Sequence, residues 1–196
     1  MFSLTDLVVI SSLLLLRVEA HMQQVDAAPV APHIRLNVAT QHLLDAYPEA
    51  KCLDGTPAQY YLRSAANKPN STKWVIHIQG GGWCSSQSSC KSRASSRLGS
   101  SSKKYNNNAT MDLNKIEGCD NNRWCGALMV NDESINPLAY DWNAAFLYYC
   151  DGASWTGNMA DPVDGWYYRG WQNMKAVMTV RRTSRGMDQA PDALIG

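Results

Sequence analysis

Apolar and polar residues divide the chain into segments of different character. Positions 7–16 carry Leu, Val and Ile interrupted only by Ser11 and Ser12, long enough for a signal-peptide core and short of the ~20 apolar residues of a membrane span. Val18 and Ala20 set small side chains where a signal peptidase reads, so 1–20 is expected to be a signal peptide, although Asp6 lies where a positive charge is usual. Across 21–50 the periodicity is weak and Pro29, Pro32 and Pro48 punctuate it, which predicts a disordered N-terminal lead. Ordered elements are expected from Cys52 onward: a short strand over 60–62, then the clearest strand at 74–79, which runs into Gly80, Gly81 and Gly82. Residues 85–108 are too polar for a core and read as a surface excursion. A second buried strand is predicted over 144–149, ending at Cys150, Asp151 and Gly152. From Tyr167 the residues Trp171, Met174 and Met178 recur at helical spacing, Arg181 and Arg182 suit a helix C-terminus, and Gly186 would end it. Residues 193–195 resemble the start of a further strand. Strands alternating with a helix and long loops indicate an α/β class, with the folded domain spanning 51–196.

Composition adds limits. The 45% hydrophobic content is ordinary for a globular protein, and a formal charge of +1 provides no overall field for nucleic acid or an anionic membrane. A local basic stretch of Lys91, Arg93, Arg97, Lys103 and Lys104 either attracts an acidic polysaccharide or is a solvated loop. Six cysteines in an exported chain favour disulfides. Cys84 with Cys90 and Cys119 with Cys125 are close pairs, leaving Cys52 for Cys150, though spacing alone leaves other pairings open. Neither close pair has zinc-knuckle spacing and none of the four histidines sits at ligand spacing, so neither a metal nor a cofactor is expected. Asn70 before Ser71 and Thr72, and Asn108 before Ala109 and Thr110, are glycosylation acceptors of a secreted surface.

Acyl transfer requires donors aimed at the oxygen that becomes negative in the tetrahedral intermediate, and glycine-rich turns present backbone N–H groups without side-chain obstruction. A strand followed by Gly80, Gly81 and Gly82 fits the glycine loop that supplies one such donor in α/β-hydrolases, although three glycines after a strand are more often a tight turn or bulge. The glycines lack the spacing of either nucleotide-binding fingerprint.

The strings CLDGTPAQYYL, HIQGGGWC, SRLGSS, YDWNAAFLYYCDGASWTG and YYRGWQ, in this order, resemble the pectin acetylesterase family, which includes the Notum-like carboxylesterases. The resemblance implies an incomplete α/β-hydrolase-like fold with a parallel-type sheet and disulfide-bonded loops. It places the nucleophilic serine in a Gly-x-Ser-x-Gly turn after a strand like 193–196, with the triad aspartate and histidine later still, so all three are expected beyond Gly196. Asp151, His21, His33, His42 and His77 are therefore not assigned to the triad; His77 is expected to pack in the core. Gly81 and Gly82 map onto the oxyanion hole and Trp83 onto a substrate-pocket wall. Asp151, Ser154 and Trp155 fall where a strand delivers its loop to the active-site edge, either touching substrate or capping and filling the loop. Gln79 stands where the family usually has an acidic residue. The resemblance also implies Cys52–Cys150 and Cys84–Cys90 disulfides, leaving Cys119 for Cys125. The implied function is hydrolysis of acyl esters, O-acetyl groups of pectin or a similar polysaccharide first. The alternatives are Notum-like protein deacylation and a non-catalytic polysaccharide-binding module. The expected protein is a secreted, extracellular or cell-wall monomer without stable membrane insertion or nucleic-acid partner.

Overall fold

The computed structural model describes residues 38–65, 71–103, 110–113, 127–185 and 193–195. The elements are β1 (Val38–Leu43), β2 (Gln59–Arg63), β3 (Trp74–Ile78), α1 (Gln87–Ala94), β4 (Thr110–Asp112), a 3-10 turn at Ala127–Met129, β5 (Asn143–Leu147), α2 (Gly170–Arg185) and β6 (Ala193–Ile195). The strands form one six-stranded sheet in the order β4-β1-β2-β5-β3-β6.

The sheet is mixed. The expected parallel pairing joins β5, β3 and β6, whereas β4, β1, β2 and β5 pair antiparallel. Connections explain the division: parallel neighbours need a long crossover, and the described residues between β1 and β2 contain turns and no helix. The chain between β5 and β6 instead includes α2. β5 is the centre, buried at all five positions, as expected for a strand covered on both faces. Phe146 pairs with Tyr61 of β2 and with His77 of β3. Its ring meets Tyr61 edge-on at 6.4 Å and stacks on His77 at 5.3 Å. Burial lowers the His77 pKa, so the imidazole serves as a neutral aromatic plate.

Two elements depart from the sequence expectation. β1 falls inside 21–50, where no ordered element is expected; Ala39 is fully buried, but Thr40, Gln41 and His42 hide the strand in the pattern. α1 falls inside the polar excursion and has no apolar face. Its start is set by a capping box in which Ser86 Oγ accepts from Ser89 N at 3.2 Å and Ser89 Oγ accepts from Ser86 N at 3.0 Å. The end of the same excursion is packed: Ser100 and Ser101 are buried, with Ser101 N donating to Thr56 Oγ1 at 3.1 Å. α2 is the expected helix, with Met174 and Met178 packed against the core beside buried Asn173, Ala176 and Val177, while Trp171 is 48% exposed. The signal-peptide segment, Asn70, Asn108, Cys119, Cys125, Lys104, Gly186 and Gly196 lie outside the described residues. No described helix is long and apolar enough to cross a membrane.

Cys52 is bonded to Cys150 across 98 residues, tying the approach to β2 to the exit of β5. Replacing both by Ala is expected to lower unfolding free energy by about 2–5 kcal/mol, the usual cost of losing a disulfide that closes a long loop. Urea titration checks it, and an unchanged midpoint would contradict a structural role.

Candidate active site

Parallel register sets the site. Ile78 lies opposite Leu147, so β3 and β5 end side by side and release two loops at one edge of the sheet. Gln79 joins them. Its backbone N–H donates to Leu147 O at 3.2 Å, its side-chain Oε1 accepts from Tyr149 N at 3.0 Å, and its carbonyl accepts from Trp155 Nε1 at 2.8 Å. An amide oxygen thus does the accepting where the family resemblance places an acid.

The β3 loop then runs through Gly80, Gly81 and Gly82. Two of these glycines are required locally. A Cβ on Gly81 would overlap the Tyr149 ring, and Gly82 has φ +72°, a conformation costly for other residues. Trp83 bridges to Ala153 of the β5 loop, and Cys84 N donates to Gly152 O at 3.0 Å. Cys84 is in turn bonded to Cys90 of α1. This brings Arg93, one turn on, against the loop: Nη1 donates to Gly81 O at 2.7 Å and Nη2 to Trp83 O at 3.2 Å. Its guanidinium lies 5.8 Å from the centre of the Tyr149 ring. The Tyr149 hydroxyl donates to Gly82 O and accepts from Ser154 N at 3.2 Å. Burial raises the Tyr149 pKa, opposed by the Ser154 N–H and assisted by nearby Asp151, which keeps the phenol protonated as a donor.

The candidate residues therefore occupy distinct places. Gly81, Gly82 and Trp83 form the outer rim, with Trp83 68% exposed. Asp151 and Trp155 are turned inward: the carboxylate accepts from Trp155 N at 3.1 Å, and the indole fills the loop. Ser154 and Trp155 both have positive φ, 50° and 65°, so the β5 loop is strained at the point nearest the glycines. Ser154 Oγ reaches Gly82 O at 3.5 Å. Among the described residues no group of three or more His, Cys, Asp or Glu side chains is placed to hold a metal ion. Sequence reasoning missed Arg93 and Tyr149. The available signal for Arg93 was its position three residues after Cys90, once Ser86 and Ser89 are read as a cap.

The glycine turn thus lies at the carboxyl ends of two parallel strands of a mixed α/β sheet. The pectinacetylesterase family model matches residues 35–196, and the chain belongs to that family. Pectin acetylesterase 7 of Arabidopsis thaliana is 32% identical over 149 residues, covering 74% of this chain and 34% of that protein. Palmitoleoyl-protein carboxylesterase NOTUM of Schmidtea mediterranea is 28% identical over 128 residues, covering 65% and 22%. The inactive palmitoleoyl-protein carboxylesterase notum1b of Danio rerio is 29% identical over 109 residues, covering 55% and 66%. The chain thus spans about a third of the length of the pectin acetylesterases it matches.

Two outcomes follow from this geometry. Burial pushes the Asp151 pKa from 3.8 up to about 6, against the opposing backbone N–H bonds and Arg93. A folded-state pKa above the unfolded value means that the neutral acid is favoured in the fold: stability from this group is full below pH 4 and lost as pH rises to 6. Asp151→Asn removes that loss, so the variant should gain on the parent by up to roughly 3 kcal/mol between pH 4 and pH 7. Urea unfolding at several pH values measures it; a constant difference would refute it. Gly81→Ala should destabilise the fold by about 1–3 kcal/mol by overpacking against Tyr149, read in the same titration.

Proposed function

We propose that the full-length protein is a secreted serine carboxylesterase that removes O-acetyl groups from pectin or a related polysaccharide. The observation that carries the reading is the glycine turn of a pectinacetylesterase-family chain, held at the open edge of the parallel strands with its N–H groups unengaged among the described residues. Gly81 and Gly82 supply backbone donors to the oxyanion, and exposed Trp83 walls the substrate pocket. Asp151 and Trp155 maintain the loop, with Ser154 beside the rim. In this reading the serine, aspartate and histidine of the triad follow β6, and the serine attacks the ester carbonyl to give an acyl-enzyme that water hydrolyses. Ser154 is not that serine: it has no Gly-x-Ser-x-Gly turn, and its hydroxyl donates to the Gly82 carbonyl. Secretion is supported by the Cys52–Cys150 and Cys84–Cys90 bonds, which persist in oxidising compartments.

The NOTUM relatives favour a second reading, cleavage of a lipid acyl group from a protein. The match to pectin acetylesterase 7 extends over more of the chain at higher identity. Purified full-length protein should release acetate from acetylated pectin, lose this activity to a serine-directed phosphonate, and leave a palmitoleoylated peptide intact. Preference for the peptide would establish the second reading, and inertness toward both would leave the non-catalytic binding module.

A further inference from the structure

Two side chains outside the glycine loop grip its carbonyl groups, and the peptide bond converts that grip into aim. A trans peptide is planar, so its C=O and N–H point in opposite directions; no described peptide is cis. Arg93 holds the carbonyls of Gly81 and Trp83, and the Tyr149 hydroxyl holds that of Gly82. The N–H of Gly82 is therefore turned away from Arg93, and the N–H of Trp83 away from Tyr149. Neither donates to an acceptor among the described residues. The Trp83–Cys84 peptide is fixed at both ends, because Cys84 N donates to Gly152 O.

The loop itself could not hold this orientation, since consecutive glycines visit many backbone conformations. A planar guanidinium fork spans two carbonyls at once, which an ammonium cannot reproduce. Arg93 is itself fixed by α1, by the Cys84–Cys90 bond at its start and by the Tyr149 ring beneath the guanidinium. Although it reads in the sequence as one charge of a basic surface stretch, its donors are committed inward.

We propose that Arg93 and Tyr149 are positioning residues that aim backbone donors at the developing oxyanion without touching substrate, Arg93 the Gly82 N–H through the Gly81 carbonyl and Tyr149 the Trp83 N–H through the Gly82 carbonyl. The inference rests on the esterase reading above. Its test is steady-state kinetics of the full-length protein and its Arg93→Met, Arg93→Lys and Tyr149→Phe variants on an acetyl ester. Binding of a trifluoromethyl ketone, which forms a charged tetrahedral adduct, is measured alongside. Removing an oxyanion donor outright costs about 100- to 1,000-fold in kcat; loosening its aim should cost Arg93→Met roughly 10- to 100-fold. KM should stay within about twofold, and ketone affinity should fall in step with kcat. Arg93→Lys should recover only part of the loss, and Tyr149→Phe should lose about tenfold. Unchanged kcat in folded Arg93→Met and Tyr149→Phe, or a rise in KM alone, would overturn the inference. If Arg93→Met does not fold, Tyr149→Phe decides, because it removes one oxygen and leaves the ring on Gly81. A parent protein without phosphonate-sensitive hydrolysis would instead overturn the esterase reading, and this inference with it.

Discussion

Everything at the candidate site depends on the parallel pairing of β3 with β5. In this register Ile78 and Leu147 end their strands together, so the glycine turn and the Tyr149 to Trp155 loop leave the sheet within hydrogen-bonding reach. Side chains alternate across a strand, so a one-residue slip would send Phe146 to the opposite face and part it from the Tyr61 and His77 rings. The register is consequently enforced by the core at Phe146 and used by the loops that begin just beyond it. Gln79 is the link between the two uses, finishing the ladder through its backbone and opening the loop contacts through its side chain.

Around that pairing, covalent and polar restraints divide the work. Cys52–Cys150 secures the β5 exit to the rest of the sheet, and Cys84–Cys90 secures the β3 loop to α1. Between them, Arg93 and Tyr149 decide where the carbonyl groups point. A glycine turn gives an anion access to backbone donors and has little shape of its own. The surrounding side chains supply the shape.

Much of this was legible in the sequence where chemistry and pattern coincide. Trp74 to Ile78 and Asn143 to Leu147 are short and mostly apolar or branched, and both are strands. β1 was not legible because polar Thr40, Gln41 and His42 sit in a strand secured by neighbours on both sides. α1 was hidden because its helix is nucleated by serines and stapled by a cystine, neither of which leaves an apolar period. On α2 the methionines face the core as the spacing indicates, whereas large Trp171 lies outside and small Ala176 is buried. Arg93 could be read as a charge from sequence, whereas its carbonyl partners come from a loop that only tertiary structure brings near.

The left-handed backbone at Ser154 and Trp155 bears on how the site edge is supported. Each such residue carries a conformational penalty of order 1–3 kcal/mol, and the contacts that offset it come from Gln79, Asp151 and Tyr149. Gln79 belongs to a strand end more than 70 residues earlier in the chain. Tyr149 and Asp151 lie within the same loop, so the β5 loop carries part of its own support, and the set of contacts is complete only when the end of β3 stands beside it.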